Sequence, residues 1–589
     1  MDGLVRPLAL TLAAGMLISV SPAQESEYSP ELLAFLDPTT RVTSLCGGKD
    51  GTGSMRAKLM IAAAVVQTDS LSTMPLHDGL GKIHFPITTS STLAQRYFDQ
   101  GLAFSYGFNH AGAIASFREA QRLDPACAMC WWGEAMAHGP NINAPMDADA
   151  NAKAIEAANR AHSLAQTTAA ERTLIAAMMR RYSADPQADR AALDAAYADA
   201  MLLAAKAHPA NDDIALLAAE AAMDTRPWDY WTADKQANPR IAEAVQLVET
   251  VLGRNPDHPQ AAHLYIHLME NGPDPKRAEA AADRLATPLA PTAGHLVHMP
   301  AHIYYRLGRW QDSMRVNLAA ARADEAWIEQ SGDTGLVRYG YYPHNVHFIV
   351  SSAQMAGDMP TAMREALKLQ SVLDPETSAK VAWVQAVNAA PFFAATQFAS
   401  PTEILAMREP DARLPYVVGM RHYARAVAHA SQRNAQGFNA EIGKLRALRQ
   451  TGDFQSMIEQ GVPAPDLLRI AELVASARFA YANRQFPDAV RLYREAAAIE
   501  QTIPYMEPPY WYYPVHQSLG AALYRAGRYD EARDAFMAAL AQSPNNGWAL
   551  YGLAAAERAA GRRAQAAAAE TALQRAWAGD RRWLRMDRL

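Results

Sequence analysis

This 589-residue chain contains few cysteines and few aromatic residues, and neither acidic nor basic residues are in large excess. Its three cysteines are too few for a disulfide framework, and they allow one intrachain pair with one thiol left over. The 55 basic and 61 acidic residues are interspersed, so no basic stripe can neutralise a run of phosphates, and nucleic-acid binding is disfavoured. Half of the residues are hydrophobic, which predicts a large folded core rather than a disordered chain.

A hydrophobic run long enough to span a membrane is also missing. Leu8 to Val20 is apolar but falls short of the ~20 residues that a spanning helix needs, and Leu59 to Val66 is shorter still. Arg6 precedes the first run and the small residues at 21–23 follow it, a pattern typical of a secretory signal peptide. Residues 1–23 are therefore predicted to be removed, and the expected location is the periplasm or the outside of the cell, with no membrane span.

A repeated pattern of aromatic, small and proline residues predicts the fold. In the N-terminal part it comprises Tyr97, Gly101, Phe104, Ala113, Phe117, Ala120 and Pro125; a second copy comprises Leu519, Gly520, Leu523, Ala532, Phe536, Ala539 and Pro544. These offsets resemble the 34-residue tetratricopeptide repeat (TPR), in which small residues let paired helices approach and proline ends the second helix. The resemblance implies an all-α, TPR-type solenoid of stacked antiparallel helix pairs, whose concave groove holds ligands.

Repeat matches and composition divide the chain into six predicted segments. A glycine-rich loop at 47–53 lacks the order and the preceding strand of a phosphate-binding loop, so nucleotide binding is disfavoured. The segments are a signal peptide (1–23), an N-terminal extension (24–91), N-terminal TPR-like repeats (92–258), His-rich central repeats (259–375), helical linker repeats (376–469) and C-terminal repeats with a cap (470–589).

Longer strings narrow the resemblance. IHFPITTSSTLAQRYFDQGL, DPACAMCWWGEA, GHLVHMPAHIYYRLGRW, YYPHNVHF and EPPYWYYP are similar to a group of bacterial exported TPR proteins, over residues from about 80 to 560. The resemblance brings no catalytic residues with it, because no activity is attached to the group.

Histidines are concentrated in the central repeats. Of 17 histidines, seven lie between residues 263 and 347, where a uniform distribution would place about 2.5. When the repeats are aligned by the turn glycines Gly308 and Gly357, each histidine falls at the second, fifth or ninth position of the first helix of a repeat, in three successive repeats. Glu270 falls at a twelfth position. At 100° per residue these places form one stripe, about 130° away from the packing face. The stripe is expected to line the concave surface, and its members are His263, His267, Glu270, His295, His298, His302, His344 and His347.

Converging imidazoles and a carboxylate predict a transition-metal site. Such nitrogen and oxygen ligands suit zinc, copper or iron, and seven histidines are enough for two ions. The spacing does not choose the metal. The alternative is a metal-free polar groove in which the histidines hydrogen-bond a peptide, a protein or a small molecule.

A Cys-x-x-Cys pair opens a predicted helix. Cys127 and Cys130 follow Pro125 without the βαβ pattern of a thioredoxin, and Trp131 stands where covalent haem attachment needs histidine. In an exported chain a local disulfide is the simplest interpretation, with metal binding and redox catalysis as alternatives. Cys46 is then left unpaired, or it replaces one member of the pair.

Two proline-fixed segments, 140–143 and 507–514, are candidates either to face the groove or to pack between repeats. No catalytic triad, acid pair or nucleotide motif is recognisable. The sequence therefore predicts an exported TPR scaffold with a His-rich metal site, a metal-free interaction scaffold being the first alternative. A metalloenzyme, an oxidoreductase or hydrolase with Glu270 as ligand or general base, is the second, so catalysis stays open.

Overall fold

Capping side chains mark where the first helices begin. Ser91 accepts a hydrogen bond from Ala94 N–H, and Asn109 accepts one from Gly112 N–H. The computed structural model describes residues 74–589 except 148, 165, 166, 186 and 233. In this part of the chain the regular structure is helical, and two isolated β-bridges are the only β-type pairing. The all-α prediction is confirmed.

Consecutive helices in the N-terminal half pack against each other along the chain. Tight turns such as 107–109 reverse the chain between them, which produces stacked antiparallel pairs. The helices are α1 (Thr92–Tyr106), α2 (His110–Leu123), α3 (Ala128–Ala137), α4 (Ala150–Ser163), α5 (Ala169–Met178), α6 (Arg190–Ala207), α7 (Asp212–Asp224) and α8 (Pro239–Arg254).

The central repeats contain the histidine-bearing helices. A 3₁₀ turn (Pro275–Ala278) and a π-helical turn (Val337–Tyr341) interrupt the series. The helices are α9 (Pro259–Glu270), α10 (Glu279–Leu285), α11 (Gly294–His298), α12 (Pro300–Arg306), α13 (Trp310–Ser331), α14 (Tyr342–Ala356) and α15 (Met359–Val372).

Short helices between residues 375 and 406 precede the long C-terminal pairs, and a 3₁₀ turn (Arg581–Trp583) lies near the end. The helices are α16 (Pro375–Lys380), α17 (Val384–Asn388), α18 (Ala390–Phe398), α19 (Pro401–Ala406), α20 (Pro415–Ser431), α21 (Ala435–Thr451), α22 (Gln455–Glu459), α23 (Ala464–Ala482), α24 (Phe486–Glu500), α25 (Val515–Arg525), α26 (Tyr529–Gln542), α27 (Gly547–Ala559) and α28 (Arg563–Ala576).

Glycine and phenylalanine fill the seam between helices as the repeat pattern predicts. A β-carbon built on Gly101 or Gly133 would stand 2.6 Å or 2.4 Å from the ring of Phe117, so only glycine leaves room for that ring. The C-terminal repeat uses the same device, with Gly520 against Phe536 at 2.7 Å. Small residues on one helix thus accommodate a large ring from the next.

The C-terminal repeats pack back onto the central ones. Trp548 Nε1 donates a hydrogen bond of 2.8 Å to the carbonyl oxygen of Gln354, and Ala578 N–H donates one of 2.9 Å to that of Ala356. Trp548 and Gln354 are 194 residues apart in sequence. The segment between α24 and α25, residues 501–514, also contacts the central repeats, where His302 Nδ1 lies 3.0 Å from Glu507 Oε2.

Several predicted features lie outside the described residues. They are the signal peptide (1–23), most of the N-terminal extension, Cys46, the glycine-rich loop at 47–53 and the apolar stretch at 59–66. Within the part of the chain that is described, no helix combines the length and the hydropathy needed to cross a bilayer.

Candidate metal centre

The histidine stripe lies on three neighbouring stretches of helix. His263, His267 and Glu270 are on α9, and His344 and His347 are on α14. The single helix expected for the remaining three is divided by Pro300 into α11 and α12, since proline lacks the N–H that would continue the helix. Met299 between them keeps helical angles, φ −50° and ψ −39°, so the side chains retain a helical register.

All of these side chains except His344, which is partly exposed, are buried rather than exposed on an open groove. His263 is 0% exposed and His267, Glu270 and His298 are each 1% exposed. Aromatic side chains cover the cluster, with the ring of Phe108 centred 4.6 Å from that of His263. The site is therefore an enclosed polar cluster, and its burial shifts the pKa of an imidazole there away from the value of a surface histidine.

One group of three histidines consists of His263, His267 and His295. One ring nitrogen from each lies within 4.8 Å of the others. Gln260 Nε2 donates to Glu220, so its Oε1 must accept from His263 Nδ1 at 2.9 Å. This fixes the proton of His263 on Nδ1 and leaves Nε2 as a lone pair, which lies 3.1 Å from His295 Nε2.

Glu270 fixes the second imidazole of this group in the same way. Its Oε1 lies 2.7 Å from His267 Nδ1, and a carboxylate can only accept, so His267 carries its proton on Nδ1. His267 Nε2 is consequently a lone pair. It is buried and has no hydrogen-bond partner among the described residues.

A second group consists of His298, His302 and His344, again with ring nitrogens within 4.8 Å of one another. Asn317 Nδ2 donates to the carbonyl oxygen of Ser313, so Asn317 Oδ1 accepts from His298 Nδ1 at 2.7 Å. His298 Nε2 is therefore a lone pair, and it lies 2.9 Å from His302 Nε2.

Two carboxylates complete the cluster around His302. His302 Nδ1 donates to Glu507 Oε2 at 3.0 Å and lies 2.7 Å from Glu270 Oε2. Both Nδ1 atoms of the His298–His302 pair are thus engaged elsewhere. When both Nδ1 atoms donate, the 2.9 Å between the two Nε2 atoms accommodates either a proton shared by the rings or a metal ion.

The pKa values follow from burial and from these contacts. Burial would lower the pKa of His302, but the charges and hydrogen bonds of Glu270 and Glu507 outweigh it and raise that pKa to about 10. Burial would raise the pKa of Glu270, yet His302 and His267 bring it down to about 2. Burial does raise the pKa of Glu507, which the hydrogen bond from His302 offsets only in part.

Burial and neighbouring imidazoles act together on the other rings. They lower the pKa well below the ordinary value for His263, His295, His298 and His344. These four rings are neutral at physiological pH, and the neutral ring is the form that binds a metal ion.

His347 stands apart from the other predicted ligands. It lies on α14 one turn beyond His344. It belongs neither to the two histidine groups nor to the third group that could hold an ion within the described residues, Glu270, His302 and Glu507. Burial lowers its pKa to about 4. It is best described as a buried histidine beside the cluster.

A cavity of about 80 Å³, measured as space open to the centres of water molecules, borders the cluster. Its polar wall is formed by side chains of the cluster, namely His267, Glu270, His295, His302, His344 and Glu507. Its other walls are mostly aromatic and apolar and include Asn143, Trp228, Leu336, Tyr341, Trp383, Tyr505 and Met506. Because one water needs about 10–15 Å³ by this measure, the cavity takes only a molecule of a few heavy atoms.

Several contributing residues are not among the predicted ligands. Glu507 and Asn143 belong to the two proline-fixed segments singled out in the sequence, and both segments do reach the cavity. Trp228 and Asn317 carry no recognisable signal, because their roles arise only from packing between repeats. Trp228 contacts His267 edge-on, with ring centroids 5.2 Å apart.

The Cys-x-x-Cys pair lies at the start of α3 and is in none of the groups that could hold an ion within the described residues. Cys127 and Cys130 are joined by a disulfide, with sulfur atoms 2.07 Å apart, and both are fully buried. Cys127 also occupies the N-cap position, where its Sγ accepts from Cys130 N–H. Pairing with Cys46 lies outside the described residues.

Comparison with known proteins identifies one repeat. Residues 513–546 match the tetratricopeptide repeat, which confirms a TPR in the segment where the second copy of the pattern is found. No curated protein matches the chain.

Solved structures of low similarity include the human IFIT1 dimer with PPP-AAAA and yeast Tom70. The first is 12% identical, covers 83% of this chain and 91% of its own, and has a TM-score of 0.27. The second is 12% identical, covers 80% and 89%, and has a TM-score of 0.29. These values are too low to transfer a ligand or a partner.

Proposed function

We propose that this chain is an exported TPR-type scaffold whose buried histidine cluster binds a transition metal, with zinc, copper and iron as candidates. The observation that carries the proposal is the pair His298 and His302. Both commit Nδ1 to an acceptor, and both direct Nε2 at the same point.

The partners of the Nδ1 atoms support a metal role. Histidines that bind metal through one nitrogen generally donate the other N–H to a carboxylate or carbonyl group, which fixes the ring and makes the ligand more basic. Four rings of this cluster have such a partner. The pairs are His263 with Gln260, His267 with Glu270, His298 with Asn317 and His302 with Glu507. A buried imidazole N–H needs an acceptor with or without a metal, so these partners support the proposal together with the converging Nε2 atoms of His298 and His302.

Ligand number and type agree with the proposal. Three imidazoles with nitrogens within 4.8 Å suit tetrahedral coordination at 2.0–2.1 Å, which separates neighbouring ligand atoms by about 3.3 Å. Imidazole with carboxylate suits zinc, copper and iron alike.

A metalloenzyme is the second candidate, and the cavity favours it. The cavity brings a molecule of a few atoms against His267, Glu270 and His302. Catalytic metal sites keep one position open beside three protein ligands, and a position facing this cavity meets that requirement. Further partners, whether a peptide, a protein or a small molecule, are expected on the outer repeat surfaces or in the cavity.

Export to the periplasm or the medium is part of the proposal and rests on residues 1–23. The test is cell fractionation with and without those residues. Recovery of the complete chain in the cytoplasm would contradict it.

The deciding experiment on metal uses untagged protein, so that no polyhistidine competes. We expect a stoichiometric metal by elemental analysis after incubation with zinc, copper or iron. The His298→Ala, His302→Ala double variant should lose it in whole or in part, and His347→Gln, a buried control beside the cluster, should retain it. No metal in the wild type, or full retention in the double variant, would leave the metal-free scaffold as the function.

A further inference from the structure

The six clustered imidazoles divide into two sets, and we propose that each set holds its own metal ion, with Glu270 between them. The inference rests on the proposed metal binding and adds to it a stoichiometry of two. The first set is His263, His267 and His295; the second is His298, His302 and His344.

Ligand number is the first argument. A four-coordinate ion takes at most four protein ligands, and an ion with an open position takes three. Six imidazoles and two carboxylates are therefore too many for one ion. The two sets share no histidine, so both can be filled at the same time.

Ring separations give the second argument. Within the first set the ring centroids lie 4.8 to 5.9 Å apart, and within the second they lie 4.7 to 5.8 Å apart. Between the sets the closest pairs, His295–His298 and His267–His302, are 6.1 and 6.2 Å apart. The closest ring pairs, at 4.7 to 4.9 Å, all lie within a set, and every pair between the sets is longer than any pair within one.

Separate hydrogen-bond partners give the third argument. Gln260, itself held by Glu220, orients the first set through His263. Asn317, itself held by Ser313, orients the second set through His298. Each set therefore has an orienting amide of its own, and neither amide contacts a ring of the other set by hydrogen bonding.

Glu270 is the element that the sets share. Its Oε1 lies 2.7 Å from Nδ1 of His267 in the first set, and its Oε2 lies 2.7 Å from Nδ1 of His302 in the second. One buried carboxylate thus supplies negative charge to both sets. Loss of that charge is expected to weaken the binding of both ions, whereas loss of either amide is expected to weaken the binding of one.

The first test is stoichiometry. Untagged protein is stripped with chelator, reloaded with Zn²⁺ and analysed for metal per chain, with Co²⁺ as a spectroscopic probe. We expect two ions per chain in the wild type. One ion should remain in the double variant His263→Gln with His295→Gln, and one in the double variant His298→Gln with His344→Gln. Combining all four substitutions should leave none.

The outcomes separate the two proposals. One ion in the wild type, lost in either double variant, would overturn the two-ion inference and leave the proposed metal binding intact. No ion at all would overturn both. Two ions with one lost in each double variant support both.

Variants that keep every ligand guard against failure to fold. Gln260→Ala should weaken only one of the two binding steps, and Asn317→Ala only the other, each by 10–100-fold. Glu270→Gln should weaken both steps. Equal weakening of both steps by Gln260→Ala and by Asn317→Ala would contradict two separate sites.

Discussion

The ring of Phe117 lies against Gly133 so closely that a β-carbon on Gly133 would stand 2.4 Å from it. Gly133→Ala must displace the ring or the helix α3. We expect a loss of about 1–3 kcal/mol in the free energy of unfolding, the usual cost of overpacking a core. Denaturant unfolding followed by circular dichroism measures it.

Gly443→Ala is the matched control, because Gly443 is also a helix glycine but a β-carbon there meets nothing within 4 Å. It should stabilise the protein by about 0.5–1 kcal/mol, since alanine has the higher helix propensity. Equal effects at the two positions would refute the packing explanation.

Glu500, which lies outside the histidine cluster, should make the stability of the fold depend on pH. Burial raises the pKa of this carboxyl group to about 8, against 4.5 when it is unfolded. The folded state holds the proton more tightly than the unfolded state, so the contribution of Glu500 to the free energy of unfolding is fully present below pH 4.5. That contribution falls as pH rises to 8, by up to about 1.4 kcal/mol per pH unit. Glu500→Gln should therefore gain stability over the wild type as pH rises through this window.

The measurement is the free energy of unfolding between pH 4 and 9. Glutamine can still accept the hydrogen bond that Val515 N–H donates to Glu500 Oε2 at 3.0 Å. Glu409→Gln, with a side chain that is 74% exposed, serves as control and should show a flat difference. A flat difference for Glu500→Gln as well would be evidence against the raised pKa.

The thiol prediction concerns Cys127 and Cys130. Titration of free thiols in denatured, unreduced protein should find one thiol, that of Cys46. Cys46→Ser should reduce the count to zero, which identifies the free residue. Three thiols in the wild type would contradict the disulfide in the isolated protein.

Metal should stabilise the fold because the ligands come from three helical stretches that unfolding separates. At free metal of 100 times Kd, one site adds about 2.7 kcal/mol to the free energy of unfolding. Chelator should reverse the gain. The His298→Ala, His302→Ala variant should gain less than the wild type, and an unchanged gain would argue for binding elsewhere.

The local parts of this structure can be predicted from sequence, and the long-range parts cannot. Helix pairs follow from turn residues and small-residue spacing, which act over a few residues. The stripe from His263 to His302 follows from equal places in successive repeats. Glu507 contacts His302 across 205 residues, and no periodicity encodes that contact.

Burial of the cluster is another long-range feature that the sequence does not predict. The stripe is expected to face a concave surface, but whether that surface stays open depends on how the ends of the array meet. Phe108, Trp228 and Tyr341 cover the histidines because separate repeats converge there. A single-repeat pattern contains no information on that convergence.

The return of the C-terminal repeats onto Gln354 and Ala356 also changes how the chain should unfold. Repeat arrays usually fray from their ends, one unit at a time, because each unit contacts only its neighbours. Here the terminal units share hydrogen bonds with the middle of the array, which links their unfolding to that of the histidine helices. A chain cut after residue 500 would keep every imidazole of the cluster yet lose Glu507, and so expose to water the charges that the intact protein encloses.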